Sequence, residues 1–328
     1  MEFSLSNISP DSSDETEEQA VRVLILGSGP AGLSAALYAA RADLDPVVLT
    51  GMELGGQVSL THIVENYPGF PEGVGGMEMV ELFQKQAERF GARIDIDTAT
   101  EVDLSERPFR VKTQSERVYL AETLIITTGA RAVHLNVPGE SEFTGRGVSY
   151  CATCDGWFFK EKDVLVVGGG DSALEEGLFL TRYADSVTIV HRRDELRAGA
   201  ILQNRAESNP KVKFMWNTVV KEISGNGAVE TVQLQDTQSG EVRQQEIEGV
   251  FIFIGHRPNS ELFKGQLEMD ENGYLIVDKR MQTNIPGVYA AGEIADPIFR
   301  QVITSAGMGA AAAMSAGHFL DEEVGFSK

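Results

Sequence analysis

The sequence predicts an α/β protein made of two units of the same kind, and three observations carry that prediction. Two glycine-rich motifs begin at Gly27 and Gly168, and each follows a short apolar run and precedes a helical pattern. This order of strand, G-x-G-x-x-G loop and helix is the context that a dinucleotide-binding unit requires. After the second unit, a further apolar strand at Val288–Ala290 leads into a helix of small residues. We therefore expect two Rossmann-like, three-layer ββα domains, with the second inserted into a split first domain.

The composition is that of a globular protein of two ordinary domains. The chain has 328 residues, of which 42% are apolar, and no apolar run approaches the length that spans a bilayer. Residues 1–19 are rich in Ser, Asp and Glu and lack the basic start and apolar centre of a secretion signal. We therefore expect a disordered acidic tail at residues 1–19, a cytoplasmic location and no membrane partner.

The chain is strongly acidic. Its formal net charge is −21 and its pI is near 4.6, which argues against binding to nucleic acid or to an acidic membrane surface. The simplest interpretation of the charge is solubility. Adaptation to high salt is the alternative, because the sequence has 10 Lys beside 18 Arg.

The first glycine motif assigns a separate task to each of its glycines. Residues 21–26 form an apolar β-branched run, and Gly27 then allows the tight turn of the chain. Gly29 lets the backbone approach a pyrophosphate, and Gly32 lets the helix pack closely on the strand. About 20 residues later an acid usually binds a ribose hydroxyl, but a glycine loop occupies that position here. Glu53, in that loop, is the candidate for the missing acid.

Between the two glycine motifs lie the only two cysteines of the sequence, Cys151 and Cys154, followed at once by Asp155. Cysteines at this spacing can close and reopen a small disulfide ring, which stores two electrons. A structural zinc site needs four ligands, and the five histidines form no spaced pair, so we predict no metal. A structural disulfide belongs in an oxidising compartment, and a loop this short restricts the unfolded chain little. The strongest interpretation is a redox-active dithiol with an acid beside it.

The second glycine motif predicts the choice of coenzyme. Its loop leads into a helix at Ala173, and the next strand ends on His191, Arg192 and Arg193, with Arg197 close behind. At this position an acid selects NAD, whereas arginine accommodates the 2′-phosphate of NADP. Arginine also suits bidentate contacts with phosphate. We therefore expect NADPH, with a solvated basic patch as the alternative explanation of these arginines.

Taken together, the motifs resemble those of the low-molecular-weight thioredoxin reductases, which are class II pyridine nucleotide-disulfide oxidoreductases. The similarity extends over roughly residues 21–320, and its most specific parts are CATCDG, GGGDSA, HRR, VENYPG and the closing GVYAAGE…RQVITSAG. The resemblance implies FAD in a split domain of residues 20–131 and 257–328, and NADPH in an inserted domain of residues 134–254. It also implies a homodimer that reduces the disulfide of thioredoxin.

The resemblance also assigns roles to individual residues. Cys154 would face the flavin, Cys151 would attack thioredoxin, and Asp155 would donate and accept a proton. Glu293 departs from the family pattern, in which Asp follows Ala-Ala-Gly. The implied FAD site comprises Gly27, Gly29, Pro30, Ala31, Gly32, Thr50, Gly51, Gly55, Gly56, Gln57, Asn66, Thr128, Gly129, Ala130, Gly292, Glu293, Arg300, Gln301 and Val302. The implied NADPH site comprises Gly168, Gly170, Asp171, Ser172, Ala173, His191, Arg192, Arg193 and Arg197.

The order of the motifs predicts motion. The cysteines and the NADPH motif lie in one predicted domain, yet both must reach a single flavin ring in the other domain. Residues 131–139 and 255–258 contain Gly and Pro and look like linkers, which could act as hinges. We therefore expect the inserted domain to rotate and to present the disulfide and the nicotinamide by turns, as the resemblance also implies.

Other acceptors and one other class of protein stay open at this point. The same cofactors could serve a peroxiredoxin-linked reductase, a dithiol oxidase or a ferredoxin-fed reductase, although the last should lack the coenzyme arginines. Outside the enzymes, the alternative is a sensor that binds FAD and NADP(H) without turnover, and the intact cysteine pair argues against it. Trp157 and Phe158 follow the cysteines and would either seat the protein partner or pack in the core.

Overall fold

The computed structural model describes residues 18–52, 54–61 and 63–326. Glu53, the candidate ribose acid, lies outside the described residues, as do His62 and residues 1–17 of the expected tail. No helix in the three described ranges is long and apolar enough to cross a membrane. In chain order the helices are α1 (Pro30–Arg41), α2 (Gly76–Arg89), α3 (Glu140–Phe143), α4 (Ala152–Asp155), α5 (Asp171–Leu180), α6 (Ala200–Glu207) and α7 (Val302–Phe326).

The strands of the described residues fall into four sheets. In chain order the strands are β1 (Glu18–Leu26), β2 (Val47–Leu49), β3 (Arg93–Asp95), β4 (Ala99–Asp103), β5 (Phe109–Thr113), β6 (Val118–Ile126), β7 (Ala130–Ala132), β8 (Val148–Ser149), β9 (Asp163–Val167), β10 (Ser186–Val190), β11 (Val212–Met215), β12 (Thr218–Gly225), β13 (Val229–Asp236), β14 (Val242–Glu246), β15 (Gly249–Ile252), β16 (His256–Pro258) and β17 (Val288–Ala290). The 7-stranded sheet has the order β3-β2-β1-β6-β5-β4, with β17 also paired to β6. The 5-stranded sheet has the order β11-β10-β9-β15-β8, the 3-stranded sheet has the order β12-β13-β14, and β7 pairs with β16.

The 7-stranded sheet is the centre of the split unit, which consists of strands β1–β6 and β17 with helices α1, α2 and α7. The sheet takes strands from both sides of the intervening sequence, because β17 pairs in parallel with β6. Alternate residues of β1 point to opposite faces. Val23 and Ile25 pack against α1 and α7, whereas Leu24 and Leu26 pack against β5. Helices, parallel sheet and antiparallel meander therefore form three layers.

The inserted unit consists of strands β8–β15 and helices α3–α6, and it repeats this layering. Val164 and Val166 of β9 pack against α5, whereas Leu165 and Val167 pack against β12 and β13. Helices, parallel sheet and 3-stranded antiparallel sheet again form three layers. The predicted fold class, two Rossmann-like ββα units with one inserted into the other, is confirmed.

The two predicted linkers pair with each other instead of forming separate loops. β7 and β16 make a two-stranded antiparallel ribbon in which Ala132 faces His256. Arg131 of the ribbon also forms an exposed salt bridge with Glu261 (Nη2–Oε1 3.2 Å). Each segment is regular because the other supplies the hydrogen-bonding partners that an isolated extended chain would lack.

β1 begins earlier than the sequence predicts. Glu18 and Gln19, which composition assigns to a disordered tail, pair with Val118 and Tyr119 at the start of β6. Glu18 also forms an exposed salt bridge with Arg110 of β5 (3.7 Å). The tail expectation is therefore wrong for these two residues, because backbone pairing with β6 outweighs their polar composition.

The last helix, α7, packs directly on α1. A Cβ atom on Gly309 would lie 2.0 Å from the carbonyl oxygen of Ala31, so only glycine allows this contact. Ala312, Ala313 and Ala316 continue the same buried face. The small residues of this helix therefore serve close packing, and they bring its first turns to the start of α1.

Candidate active site

The first glycine motif has the geometry of a phosphate cradle. Gly27 has φ +112°, and a Cβ atom on Gly32 would lie 1.9 Å from the carbonyl oxygen of Gly27. At Gly29, in contrast, the nearest atom to an added Cβ is 3.9 Å away, so a ligand can approach the backbone closely. Helix α1 starts at Pro30 with no side-chain cap and no acid in its first turn, which leaves its first N–H groups for an anion. These residues fit the pyrophosphate of a dinucleotide.

A buried serine within the motif draws the second glycine loop toward the first. Ser28 donates to the carbonyl oxygen of Thr50 (3.2 Å) and accepts from the N–H of Gly55 (3.0 Å). Gly56 lies beside the motif, since an added Cβ would be 3.8 Å from the Cα of Gly29. The structure thus brings to the cradle the loop that contains the assigned residues Thr50, Gly51, Gly55, Gly56 and Gln57.

The C-terminal part of the predicted FAD site adjoins the same cradle. Gly292 has φ +79°, and an added Cβ would lie 2.9 Å from the Cβ of Ala31. Burial raises the pKa of Glu293, the next residue, and the positive charge of Arg300 opposes that shift. Helix α7 then begins at Val302. The C-terminal and N-terminal halves of the predicted site are therefore neighbours in space.

Two polar contacts fix the residues just before α7. Asn66 Nδ2 donates to Gln301 Oε1 at 3.1 Å, although the two residues are distant in sequence. Arg300 contacts the ring of His256 in the β7–β16 ribbon. Burial, followed by the charge of Arg300, lowers the pKa of His256 to about 4. His256 is therefore a neutral contact for Arg300 at neutral pH.

Reciprocal hydrogen bonds fix the chain where β6 leads into the ribbon. Thr128 Oγ1 donates to the carbonyl oxygen of Asn259 (2.9 Å), and Asn259 Nδ2 donates to the carbonyl oxygen of Thr128 (2.8 Å). One residue earlier, Thr127 Oγ1 donates to the carbonyl oxygen of Gly27 (3.0 Å). The assigned residues at this junction are Thr128, Gly129 and Ala130.

The second glycine motif repeats this geometry in the inserted unit. Gly168 has φ +154°, and an added Cβ would lie 2.6 Å from the Cβ of the buried Ala173. At Gly170, no atom of the described residues lies within 4 Å of an added Cβ, so a ligand can reach the backbone. Asp171 and Ser172 are exposed in the first turn of α5. The loop therefore fits a second dinucleotide.

Three exposed arginines and a buried histidine border this second loop. Arg192, Arg193 and Arg197 form no ion pair within the described part of the chain, so all three are available to a phosphate. The N–H of Arg197 donates to the carbonyl oxygen of Gly169 (2.7 Å), which ties the arginines to the loop. His191 is 5% exposed, and its Nε2 has no hydrogen-bond partner among the described residues. Burial lowers the pKa of His191, and the charge of Arg197 adds to that effect.

Cys151 and Cys154 are joined in a disulfide, with Cα atoms 5.3 Å apart. They belong to the short helix α4, for which Cys151 is the N-cap residue. The Sγ atom of Cys151 accepts from the N–H of Cys154 at 3.2 Å. Both residues are partly exposed, and Thr153 between them is exposed. The pair therefore forms a disulfide that is partly accessible to solvent, as a redox role requires.

Asp155 is held by a serine that sequence reasoning did not single out. Ser149 Oγ donates to Asp155 Oδ2 at 2.6 Å and accepts from the N–H of Cys151 at 3.1 Å. Burial raises the pKa of Asp155, and the hydrogen bond from Ser149 opposes that shift. A carboxyl group with a raised pKa beside a disulfide suits proton transfer at a higher pH than an ordinary aspartate.

The disulfide lies against the split unit. Gln301 Nε2 donates to Thr153 Oγ1 at 3.1 Å, and Thr153 Oγ1 lies 3.3 Å from Cys151 Sγ. Because Asn66 also bonds Gln301, a chain of polar contacts runs from the predicted FAD site to the disulfide. This arrangement suits electron exchange between a flavin in the split unit and the cysteine pair.

Two aromatic side chains next to the disulfide face solvent. Trp157 is 57% exposed and Phe158 is 40% exposed, although Trp157 packs edge-on against Tyr183. The alternative that both pack in the core is therefore wrong. Both side chains are therefore accessible to a protein partner.

Comparison with known proteins assigns the chain to a family. The pyridine nucleotide-disulphide oxidoreductase family matches residues 21–313. The chain belongs to this family. Among curated members, the "Thioredoxin reductase" of Rickettsia bellii is 52% identical over 305 residues, which cover 92% of this chain and 98% of that protein.

Solved structures of pyridine nucleotide-disulphide oxidoreductases give two different degrees of overlap. The thioredoxin reductase from Streptococcus pyogenes has a TM-score of 0.89 at 43% identity, covering 92% of this chain and 99% of that chain. The Lactococcus lactis thioredoxin reductase in its "FR conformation" has a TM-score of 0.63 at 40% identity, with the same coverage. The resemblance inferred from the cysteine and glycine motifs is confirmed, while the roles of individual residues stay predictions.

Proposed function

We propose that the chain is an NADPH-dependent thioredoxin reductase that passes electrons through FAD and the Cys151–Cys154 pair to the disulfide of thioredoxin. The position of that pair carries the proposal, because Thr153, between the cysteines, is bonded to Gln301 beside the predicted FAD site. The relatives named as thioredoxin reductases support the same acceptor. When bound, FAD supplies a two-electron carrier between NADPH and a disulfide.

We assign FAD to a domain of residues 20–131 and 257–328. The cradle of Gly27, Gly29 and Gly32, with the free N–H groups of α1, would hold its pyrophosphate. The bonded pair of Asn66 and Gln301 would border the flavin on the side of the disulfide. These residues would position the cofactor between the glycine cradle and the disulfide.

We assign NADPH to a domain of residues 134–254. Gly168 and Gly170 would cradle its pyrophosphate, and the exposed Arg192, Arg193 and Arg197 would bind its 2′-phosphate. The intact arginines argue against a ferredoxin-fed relative, which has no use for a 2′-phosphate site.

The thiols and Asp155 perform the exchange with thioredoxin. The thiolate of Cys151 attacks one sulfur of the thioredoxin disulfide, forms a mixed disulfide and releases the other thioredoxin sulfur as a thiolate. Cys154 then attacks the Cys151 sulfur, which restores the Cys151–Cys154 disulfide and releases the second thioredoxin thiolate. Asp155, held by Ser149, gives up and recovers the proton that this cycle moves.

Replacing Ser149 with alanine is expected to raise the pKa of Asp155 further, because the carboxylate loses a hydrogen-bond donor. A raised pKa keeps Asp155 protonated to higher pH, so the alkaline limb of the pH–kcat profile should move upward by about one unit. Asp155→Asn should remove that limb without loss of FAD. Ser105→Ala, at an exposed serine, is the matched control. If Ser149→Ala does not move the alkaline limb, the proton role of Asp155 is contradicted.

We propose that the NADPH domain rotates against the FAD domain in each cycle, with the β7–β16 ribbon as the joint. The disulfide occupies the side of the split unit in this structure, so the nicotinamide must take its place by movement. The two TM-scores support this: they are 0.89 and 0.63 although the identities are 43% and 40%. A different placement of two similarly folded domains lowers a whole-chain score in this way.

Locking the present arrangement is expected to separate the two half-reactions. Leu60 of the split unit lies against Gly145 of the inserted unit, since a Cβ added there would be 3.9 Å from the Leu60 carbonyl oxygen. Leu60→Cys and Arg146→Cys, joined by a short bis-maleimide, should stop reduction of the flavin by NADPH while its exchange with the disulfide stays fast. Stopped-flow absorbance measures both steps, with the unlinked double variant as control. Wild-type rates for both steps in the locked protein would rule rotation out.

We propose a homodimer formed through the helical face of the split unit. Large apolar side chains stay exposed on three neighbouring helices: Tyr38 on α1 is 45% exposed, Leu82 on α2 is 42% and Met314 on α7 is 54%. Exposed apolar surface shared by adjacent elements marks an interaction site. Sedimentation equilibrium of the wild type should give twice the chain mass of 35.6 kDa, whereas Met314→Glu should give the mass of a single chain. Ile201→Glu, 71% exposed on α6, is the control, and a monomeric wild type would refute the dimer.

Titration of the purified protein with NADPH and then thioredoxin tests the function. NADPH should bleach the flavin absorbance, and oxidised thioredoxin should restore it. Reduction of an artificial disulfide but not of thioredoxin would point to another acceptor, such as a peroxiredoxin system, and binding without turnover would point to a sensor. We also propose a cytoplasmic location, where such a pair works against reduced thiol pools, and cell fractionation tests it.

A further inference from the structure

A carboxylate that the mechanism does not use lies beneath the redox pair. Glu176 belongs to α5, the helix that starts at the second glycine motif, and its side chain is largely buried. Its Oε2 accepts from the N–H of Ala152 at 3.1 Å. This N–H group belongs to the first turn of α4, the helix that contains the redox cysteines.

The cysteine sulfur and the carboxylate share the donors of this one turn. The Sγ atom of Cys151 accepts from the N–H of Cys154, whereas Glu176 accepts from the N–H of Ala152. The first N–H groups of a helix have no partner within the helix, and they stabilise a thiolate placed near them. With the N–H of Ala152 bonded to Glu176, less of this stabilisation remains for a thiolate.

Two partners of Glu176 oppose the effect of burial on its carboxyl group. Burial raises the pKa of Glu176, while the N–H of Ala152 and the positive charge of Arg300 lower it. The negative charge of the exposed Glu175, on the same helix, also raises the pKa of Glu176, but this effect is weaker than the opposite effect of Arg300. The carboxyl group of Glu176 therefore lies next to the turn that carries the sulfurs, hydrogen-bonded to the backbone of that turn.

We propose that Glu176 is a positioning residue that makes the Cys151–Cys154 pair a stronger reductant. Reduction of the pair takes up two electrons and one proton and yields one thiol and one thiolate, so the reduced form carries one more negative charge than the disulfide. The carboxylate of Glu176 destabilises that extra charge and occupies the N–H of Ala152, which would otherwise help to offset it. The effect of Glu176 on the reduction potential does not depend on the proposed thioredoxin reductase function. Its consequence, easier release of electrons to thioredoxin, rests on that function.

The test compares Glu176→Gln with Glu175→Gln in the FAD-loaded protein. Each variant is equilibrated with mixtures of reduced and oxidised dithiothreitol, quenched with an alkylating reagent, and analysed by mass spectrometry for alkylated Cys151 and Cys154. Glutamine keeps an oxygen that can accept from Ala152 but has no charge. Glu176→Gln should favour the dithiol about tenfold, which corresponds to a rise of about 30 mV in reduction potential. Glu175→Gln, on the exposed side of the same helix, should leave the equilibrium unchanged.

A third variant separates charge from packing. Glu176→Asp keeps the charge and should keep the equilibrium near that of the wild type. The proposal is overturned if Glu176→Gln matches Glu175→Gln, if it shifts toward the disulfide, or if Glu176→Asp shifts as far as Glu176→Gln. Because the readout needs no thioredoxin, the tenfold shift in a protein that fails to reduce thioredoxin would uphold this inference and refute the proposed function.

Discussion

Replacing Cys154 with serine is expected to abolish the reduction of thioredoxin while the protein keeps FAD and is still reduced by NADPH. Cys151 alone can form a mixed disulfide, but without Cys154 nothing in this chain resolves it, since the sequence has no third cysteine. The fold should survive, because a disulfide that closes so short a loop constrains the unfolded chain little. The loss should therefore be confined to the last step of the electron path.

The measurement follows two signals from the same reaction mixture. Flavin absorbance follows reduction by NADPH, and thioredoxin thiols are counted with a chromogenic disulfide after the variant is removed. Retained flavin bleaching with no new thioredoxin thiols is the expected result for Cys154→Ser. Thioredoxin reduction at a rate near that of the wild type would mean that electrons bypass the pair, and the relay would have to be abandoned.

Replacing both Arg192 and Arg193 with alanine is expected to lower kcat/KM for NADPH by on the order of a hundredfold or more, with little change for NADH. Both side chains are exposed at the end of β10 and make no ion pair within the described residues. Each charge-assisted hydrogen bond to a phosphate contributes roughly 1.5–3 kcal/mol, and about 1.4 kcal/mol is a factor of ten. Only NADPH has the 2′-phosphate, so only NADPH should lose these contacts.

Arg205→Ala is the matched control for this pair, because Arg205 is an exposed arginine of the same unit on α6. Its loss changes the net charge but should affect neither coenzyme. Equal losses for NADPH and NADH in the double variant would show that the arginines form a general basic patch, which is the alternative that the sequence left open.

The features that the sequence predicts correctly depend only on the geometry of neighbouring residues in the chain. Gly27 needs a left-handed φ and Gly32 has no room for a side chain, so strand, glycine loop and helix are recognisable without knowledge of the rest of the chain. The same holds for the cysteine pair, whose helix spans only the residues between and beside the sulfurs. The alternation of β1 and β9 between two buried faces likewise follows from their apolar runs.

The contacts that the sequence does not predict depend on partners brought close by folding. Glu176 reaches Ala152 from a different helix, and Gln301 reaches Thr153 from the other unit. Ser149 lies close to Asp155 in sequence, but a serine before a cysteine motif carries no pattern that predicts where its hydroxyl points. The pairing of the two linkers is not predictable for the same reason, because β7 finds its partner β16 only after the whole inserted unit has been traversed.

The pairing of β7 with β16 places the two crossings of the chain side by side. Ala132 leaves the split unit directly opposite His256, where the chain returns. A tight turn that joined Ala132 directly to His256 would leave the strand order of the 7-stranded sheet unchanged. In topological terms, the inserted unit is therefore one very long hairpin loop. Domains with adjacent termini are tolerated as insertions at such exposed turns. The covalent connection between the two units therefore lies at a single position of the fold, although the chain passes through it twice.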